Sequence, residues 1–192
     1  MRKILIDAGH GINTKGKRSP DGKLLEWKWN MKTAQIVYNL LKDCGCDVEL
    51  IKPEQVDISL GERVRRVNMY GKDSLLVSIH VNALGTGQEW MKARGWSVWT
   101  TEGKTESDAV AEYIWSEAVK MWGEERVRKD MSDGDKDYED DFYILRKTVC
   151  PAVLVENFFM DNKQDCKYLL SEESNSECAA VIINGILKYL ER

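Results

Sequence analysis

Apolar residues along the chain fall into short continuous runs that alternate with longer segments of helical spacing. The short runs have the length of buried strands, whereas the longer segments repeat an apolar residue every three or four positions. The predicted strands are Lys3–Asp7, Cys46–Ile51, Ser74–Ile79, Trp96–Thr100, Phe142–Leu145 and Ala152–Phe159. Buried strands that alternate with helices are typical of an α/β fold, in which helices cover both faces of a parallel or mixed sheet.

Capping residues mark the ends of the predicted helices. Trp27–Cys44 has helical spacing and is followed by Gly45, a favourable residue just past a helix end. Ser59-Leu-Gly-Glu62 has the sequence of a capping box at the start of a second helix, and Thr105-Glu-Ser-Asp108 predicts the start of a third. Ser176–Leu190 is a closing amphipathic helix. The pattern shows no internal repeat and no linker, so it favours one domain over residues 1–192.

Composition restricts the class of protein. A chain of 192 residues can bury a full core without disulfides or a structural metal. The net charge is −4 and there is no dense block of Lys and Arg, so we expect no nucleic-acid partner. No apolar run approaches the ~20 residues that span a bilayer, so we expect no membrane association. We expect a monomer.

The first residues and the cysteines bear on the compartment. Met-Arg-Lys precedes an apolar run that stops at Asp7, which is shorter than the ~7–15 residues of a signal-peptide core. The five cysteines are odd in number and scattered, which predicts free thiols in a reducing compartment. They are Cys44, Cys46, Cys150, Cys166 and Cys178. We therefore expect the protein to be cytoplasmic as synthesised.

The chain contains two histidines, and each lies at the end of a predicted strand. His10 follows the first strand and His80 ends the apolar run Ser74–Ile79. The carboxyl ends of parallel strands share one edge of a sheet, where ligands bind. Imidazole is a common zinc ligand, and a catalytic zinc typically has three protein ligands and one open position. Glu26 is the candidate third ligand, although a first-turn glutamate favoured by the helix dipole is the alternative.

Glu156 interrupts an otherwise apolar strand, Pro151–Phe159. An ionised carboxylate there costs several kcal/mol unless it is paired or lies beside a metal. Two interpretations remain open from the run alone. Glu156 is either a general base for a water beside the metal, or half of a buried ion pair, for example with Arg146.

Six blocks of the sequence, in the same order, resemble the type 3 family of N-acetylmuramoyl-L-alanine amidases. The resemblance covers nearly the whole chain, so it is more specific than any one motif. The blocks are Asp7-Ala-Gly-His-Gly11, Glu26 with Asn30, Ser59-Leu-x-x-Arg63 with Asn68, Ser78-Ile-His-Val-Asn-Ala83, Tyr143-Ile-Leu-Arg146, and Pro151-Ala-Val-Leu-Val-Glu156 with Asn162.

The resemblance implies a mixed, mainly parallel six-stranded sheet flanked by helices, with zinc at its carboxyl edge. It implies that His10, Glu26 and His80 bind Zn²⁺ and that Glu156 is the catalytic glutamate. It also implies a role for Asn82 in shaping the substrate cleft. Two arginines in the matching blocks, Arg63 and Arg146, are expected to bind substrate.

The implied reaction is hydrolysis of the amide between N-acetylmuramic acid and L-alanine of peptidoglycan, the expected partner. A zinc peptidase acting within the stem peptide and a wall-binding module without turnover are the alternatives. A phage or prophage endolysin and a bacterial remodelling enzyme both fit the pattern. In either case the protein would act on the cell wall after release or export. Lys15, Lys17 and Arg18 could meet stem-peptide carboxylates or form a solvated loop.

Overall fold

Six strands form one sheet in the computed structural model of the protein, which describes residues 2–192. The strands are β1 Lys3–Ala8, β2 Val48–Leu50, β3 Ser74–Asn82, β4 Ser97–Thr100, β5 Tyr138–Glu139 and β6 Ala152–Phe159. The helices are α1 Glu26–Asp43, α2 Leu60–Asn68, α3 Glu106–Trp122, α4 Tyr143–Lys147, α5 Lys163–Leu169 and α6 Ser174–Leu190.

The strand order across the sheet is β2-β1-β3-β6-β4-β5. All neighbouring strands are parallel except β4 and β6, which are antiparallel. The predicted fold class, a mixed and mainly parallel six-stranded α/β sheet, is therefore confirmed. The carboxyl ends of β1, β3 and β6 lie together at one edge of the sheet.

The prediction of a strand at Phe142–Leu145 is wrong, because this segment begins the short helix α4. Four apolar residues fit one turn of a buried helix as well as a strand, and here Ile144 and Leu145 are buried. The sixth strand is instead β5, which has only two residues and no apolar run. The short helix α5 was also not predicted; its first turn is capped by Asn162, whose side chain accepts from the Gln164 amide.

Two predicted helix starts have different caps. At α3, Thr105 and Asp108 form the reciprocal capping box, in which the side chain of each residue accepts a hydrogen bond from the backbone amide of the other. At α2, Ser59 accepts from the Glu62 amide, but Glu62 pairs with Arg65 and Arg66 on its own helix. The second box is therefore only half formed, although the helix starts where predicted.

The sheet separates two apolar clusters. The larger one packs α1, α3 and α6 against alternate strand residues such as Val77 and Val155. The smaller one packs α2 and α4 against Leu76 and Leu154 on the opposite face. Glu156 is two residues beyond Leu154 in β6, so its side chain lies on this second face.

No helix within residues 2–192 is long and apolar enough to cross a membrane. All five cysteines are free thiols, and three of them, Cys150, Cys166 and Cys178, are buried.

Candidate metal centre

His10 lies in a tight loop directly after β1. Its φ angle is 63°, a left-handed conformation that is uncommon for residues other than glycine. Glycines on both sides make this path possible. A Cβ on Gly9 would lie 2.2 Å from Cε1 of His80, and a Cβ on Gly11 would lie 2.1 Å from the backbone nitrogen of Asp57. The loop therefore brings the His10 backbone against β3 and the segment before α2.

Glu26 begins α1 and joins the two histidines. Its Oε1 atom lies 3.3 Å from Nε2 of His10 and 3.2 Å from Nδ1 of His80. The Glu26 side chain is 1% exposed, and its Oε2 atom is buried without a hydrogen-bond partner. The structure thus brings together the three residues that the sequence predicted as ligands, with one carboxylate oxygen left unused.

The spacing of these atoms suits a tetrahedral metal ion. One ligand atom from each of His10, Glu26 and His80 lies within 4.8 Å of the others, and no other such group occurs among residues 2–192. Ligands about 2.0–2.1 Å from a tetrahedral zinc are roughly 3.3 Å apart, close to both distances from Glu26 Oε1. The donor set of two imidazoles and one carboxylate is one that catalytic zinc uses. The residues present fit zinc.

Charge in the cluster is set by competing effects on Glu26. Burial alone would raise the pKa of its carboxyl. The hydrogen bonds and positive charge supplied by His10 and His80 outweigh burial and hold the pKa of Glu26 well below its ordinary value. The carboxylate is therefore anionic at neutral pH, as a metal ligand must be.

Two buried asparagines, Asn30 and Asn157, hydrogen-bond the residues of the cluster or their neighbours, a role that the sequence did not predict. The Asn30 side chain donates to the Gly9 carbonyl at 3.1 Å and to Glu26 Oε1 at 3.4 Å. The Asn157 side chain donates to the His80 carbonyl at 2.9 Å. Asn30 belongs to a block that resembles the amidase family, whereas a polar residue inside an apolar strand was the only signal for Asn157.

Glu156 lies beside the cluster on the neighbouring strand. Glu156 and His80 are register partners in β6 and β3, which places both side chains on the same face. Its Oε2 atom is buried without a partner, and no ion pair to Glu156 occurs among residues 2–192. Burial, and then the charge of Glu26, raise the pKa of the Glu156 carboxyl well above its ordinary value. The alternative of an ion pair with Arg146 is not observed, because Arg146 pairs with Asp141.

Arg63 is not placed to bind substrate, contrary to the expectation from the sequence. It is 3% exposed, and its guanidinium pairs with Asp7 and with Asp57 at 2.6 Å. It also donates to the backbone carbonyls of Ala8 at 2.8 Å and His10 at 3.2 Å. These contacts occupy the donors of the guanidinium, and two of them fix the backbone of the loop that carries His10.

Arg146 is also misplaced for substrate binding. It lies on α4, which precedes β6, and it borders a surface hollow with Cys150, Pro151 and Ala152 at the beginning of that strand. The cluster of His10, Glu26 and His80 lies toward the other end of β6, where His80 is the register partner of Glu156. Arg146 is therefore at the opposite edge of the sheet.

Asn82 lies two residues beyond His80 at the end of β3 and is partly exposed on the same face. Its backbone carbonyl accepts from the Met160 amide at 2.8 Å, which joins β3 to the chain after β6. Asn82 therefore lies next to the cluster of His10, Glu26 and His80, and its role in the cleft stays a prediction.

A family model, two sequence relatives and a crystal structure all relate this chain to cell-wall hydrolases. The family model described as N-acetylmuramoyl-L-alanine amidase matches residues 4–188. The N-acetylmuramoyl-L-alanine amidase CwlM of Bacillus licheniformis is 34% identical over 98% of this chain and 68% of its own length. The endolysin of Bacillus phage SPP1 is 28% identical over 99% of this chain and 67% of its own. The crystal structure of N-acetylmuramoyl-L-alanine amidase from Clostridium difficile 630 superposes with a TM-score of 0.83 at 29% identity, covering 99% of this chain and 97% of that one.

Proposed function

The chain belongs to the N-acetylmuramoyl-L-alanine amidase family, and we propose that it performs the amide hydrolysis of this family with a zinc ion held by His10, Glu26 and His80. The substrate is peptidoglycan, and the bond cleaved joins N-acetylmuramic acid to L-alanine. The family membership supports the reaction, and the geometry of the three ligands supports the metal.

Each residue of the site has a distinct part in this proposal. Zinc bound by the three ligands would supply a Lewis acid that polarises the amide carbonyl and lowers the pKa of a water toward ~7. Glu156 takes a proton from the attacking water and delivers it to the leaving nitrogen of L-alanine. Asn30 and Asn157 hold the ligand residues in place, and Asn82 borders the cleft that receives the peptide.

The observation that carries the proposal is the relation between Glu156 and the cluster. A glutamate with an unpartnered buried oxygen occupies the register position opposite His80. A structural ion pair would leave no such orphan, since a buried carboxylate is normally paired or hydrogen-bonded. Next to three metal ligands, an unpaired carboxylate is placed to accept a proton.

Mass spectrometry of digested peptidoglycan tests the proposed reaction. We expect peptides with a free L-alanine amino group and glycan strands with intact, unsubstituted lactyl groups on N-acetylmuramic acid. Fragments cut within the stem peptide would instead show a zinc peptidase. Binding to cell walls without released peptide would show a module without turnover. Either result would replace the proposal.

We also propose that the protein folds in a reducing compartment and acts on the wall after release or export. Support comes from its five free cysteines, three of them buried, in a fold that needs no disulfide. Release by a phage and export by a bacterium both fit, since a phage endolysin and a bacterial amidase are both similar to this chain.

A further inference from the structure

A partly exposed arginine, Arg128, lies beside the proposed active site in a segment that follows α3. This segment pairs with Trp96, the residue directly before β4. The Trp96 amide donates to the Arg126 carbonyl at 2.9 Å, and the Arg128 amide donates to the Trp96 carbonyl at 2.7 Å. The backbone of Arg128 is thus fixed to the sheet, not carried on a free loop.

The alternation of the strands places Arg128 on the face of Glu156. Val127 bridges Trp96, and both are buried in the larger apolar cluster. Neighbouring residues in an extended segment face opposite sides, so Arg128 points to the other face. Ser97 also faces that side, and it is the antiparallel register partner of Glu156.

Two aromatic rings hold the Arg128 guanidinium on this face. Its Cζ atom lies 4.9 Å from the ring centroid of Tyr138 and 5.3 Å from that of Phe159. Tyr138 in turn packs against Trp99, with centroids 4.8 Å apart. Stacking engages the flat face of a guanidinium and leaves its N–H edges free to form a bidentate pair with a carboxylate.

These N–H groups have no protein partner. Within residues 2–192 the Arg128 side chain donates no hydrogen bond and forms no ion pair. Arg63, Arg66 and Arg146, by contrast, each pair with at least one carboxylate. A guanidinium fixed in orientation and left without an anion is arranged to receive one from a ligand.

We propose that Arg128 binds a carboxylate of the stem peptide when the scissile amide lies between the metal cluster and Glu156. The inference rests on the proposed amidase function and extends it to substrate recognition. Phe159, which lies under the guanidinium, is the register partner of Asn82, whereas Glu156 is the partner of His80. Phe158 has a φ of 62° and the register shifts at this point, so Phe159 lies only two residues of β3 beyond Glu156, or about 7 Å. An extended peptide covers that distance with about two residues, so the carboxylate belongs to the peptide beyond L-alanine.

Arg126 provides a matched control, because it is the same residue type in a similar aromatic setting. Its Cζ atom lies 4.8 Å from the Phe158 ring and 4.7 Å from the Tyr168 ring. Those rings belong to the larger apolar cluster and to α5, not to the face of Glu156. Loss of Arg126 removes comparable stacking without removing the proposed carboxylate site.

The experiment measures kcat/KM for a soluble N-acetylmuramoyl peptide with free carboxylates and for the same compound with those carboxylates converted to amides. A charged hydrogen bond predicts that the unaltered, zinc-loaded enzyme prefers the free acid by about 10-fold to 100-fold. Arg128→Gln should reduce that ratio to near one by losing activity on the acid alone. Arg128→Lys should keep part of the preference, and Arg126→Gln all of it.

Three results would overturn the inference. Equal rates on both peptides by the unaltered enzyme would do so while leaving the amidase function intact. An equal loss on both peptides in Arg128→Gln, with the ratio unchanged, would reduce Arg128 to a structural role. Cleavage of neither peptide by the unaltered enzyme would remove this inference and the proposed function together. The melting temperature of each variant shows whether the fold is retained.

Discussion

Replacing Arg63 by methionine should destabilise the protein strongly and loosen the loop that carries His10, the first proposed metal ligand. Methionine keeps much of the side-chain volume and removes the charge and all donors. Asp7, which is fully buried, would lose its cationic partner, and Asp57 would lose a contact of 2.6 Å. The carbonyls of Ala8 and His10 would also lose their donors.

The size of the effect follows from burial. Removing one partner of a buried ion pair costs about 3–5 kcal/mol, because the remaining charge is left uncompensated. A chain of this length has an unfolding entropy of roughly 0.4 kcal/mol/K, at ~2.1 cal/mol/K per residue. The melting temperature should therefore fall by about 8–12 °C. The affinity for zinc should fall as well, since the His10 carbonyl is no longer held.

Arg66→Met is the matched control on the same helix. Arg66 pairs with Glu54 and Glu62, but its side chain is 28% exposed, and exposed pairs contribute about 0–1 kcal/mol. The two pairs together contribute at most about 2 kcal/mol, so the melting temperature of Arg66→Met should fall by no more than about 5 °C. Calorimetry and zinc titration against a chelator on both variants decide the matter. A loss in Arg63→Met no larger than in Arg66→Met would show that the buried pair of Arg63 with Asp7 does not stabilise the fold.

Two further predictions concern groups away from the proposed metal site. Burial, and then the charge of Asp135, raise the pKa of Asp137 to about 7. Between pH ~4, the usual pKa of an aspartate, and pH 7, the Asp137 carboxyl loses its proton in the unfolded chain and keeps it in the folded protein. The free energy of unfolding therefore falls as pH rises through this range. Asp137→Asn should reduce the drop in melting temperature between pH 5 and pH 8, and an unchanged drop would contradict this cause. Titration of the unfolded, unreduced protein should find five thiols; three or fewer would mean that a disulfide forms and would favour an exported protein.

The sequence predicted that His10, Glu26 and His80 lie together because each signal was local. His10 and His80 follow apolar runs, and parallel strands necessarily end at one edge. Glu26 was the candidate third ligand from its place at the start of the first helix, with a helix-dipole glutamate as the alternative, and the family resemblance favoured the ligand. The position of the candidate site, at the carboxyl edge of the sheet, therefore followed from strand direction alone.

The surroundings of the site depend on contacts between distant segments, which a pattern of single residues does not contain. Arg63 matched a family block, but only the fold shows that it lies beneath the His10 loop, against Asp7 and Asp57. Arg146 matched another block and lies at the opposite edge. Arg128 has no motif at all; its setting depends on a two-residue strand and on pairing with Trp96.

Glu156→Gln separates general-base catalysis from a structural role, because it keeps the shape of the side chain and removes its ability to accept a proton. The variant should bind one zinc per chain and melt at the same temperature or higher, since a buried charge becomes a neutral amide. Its rate of wall lysis should fall by about 10²–10⁴-fold, the usual contribution of a general base. Zinc content, melting temperature and lysis are measured on one preparation. Near-normal lysis by the zinc-loaded variant would remove Glu156 from the mechanism.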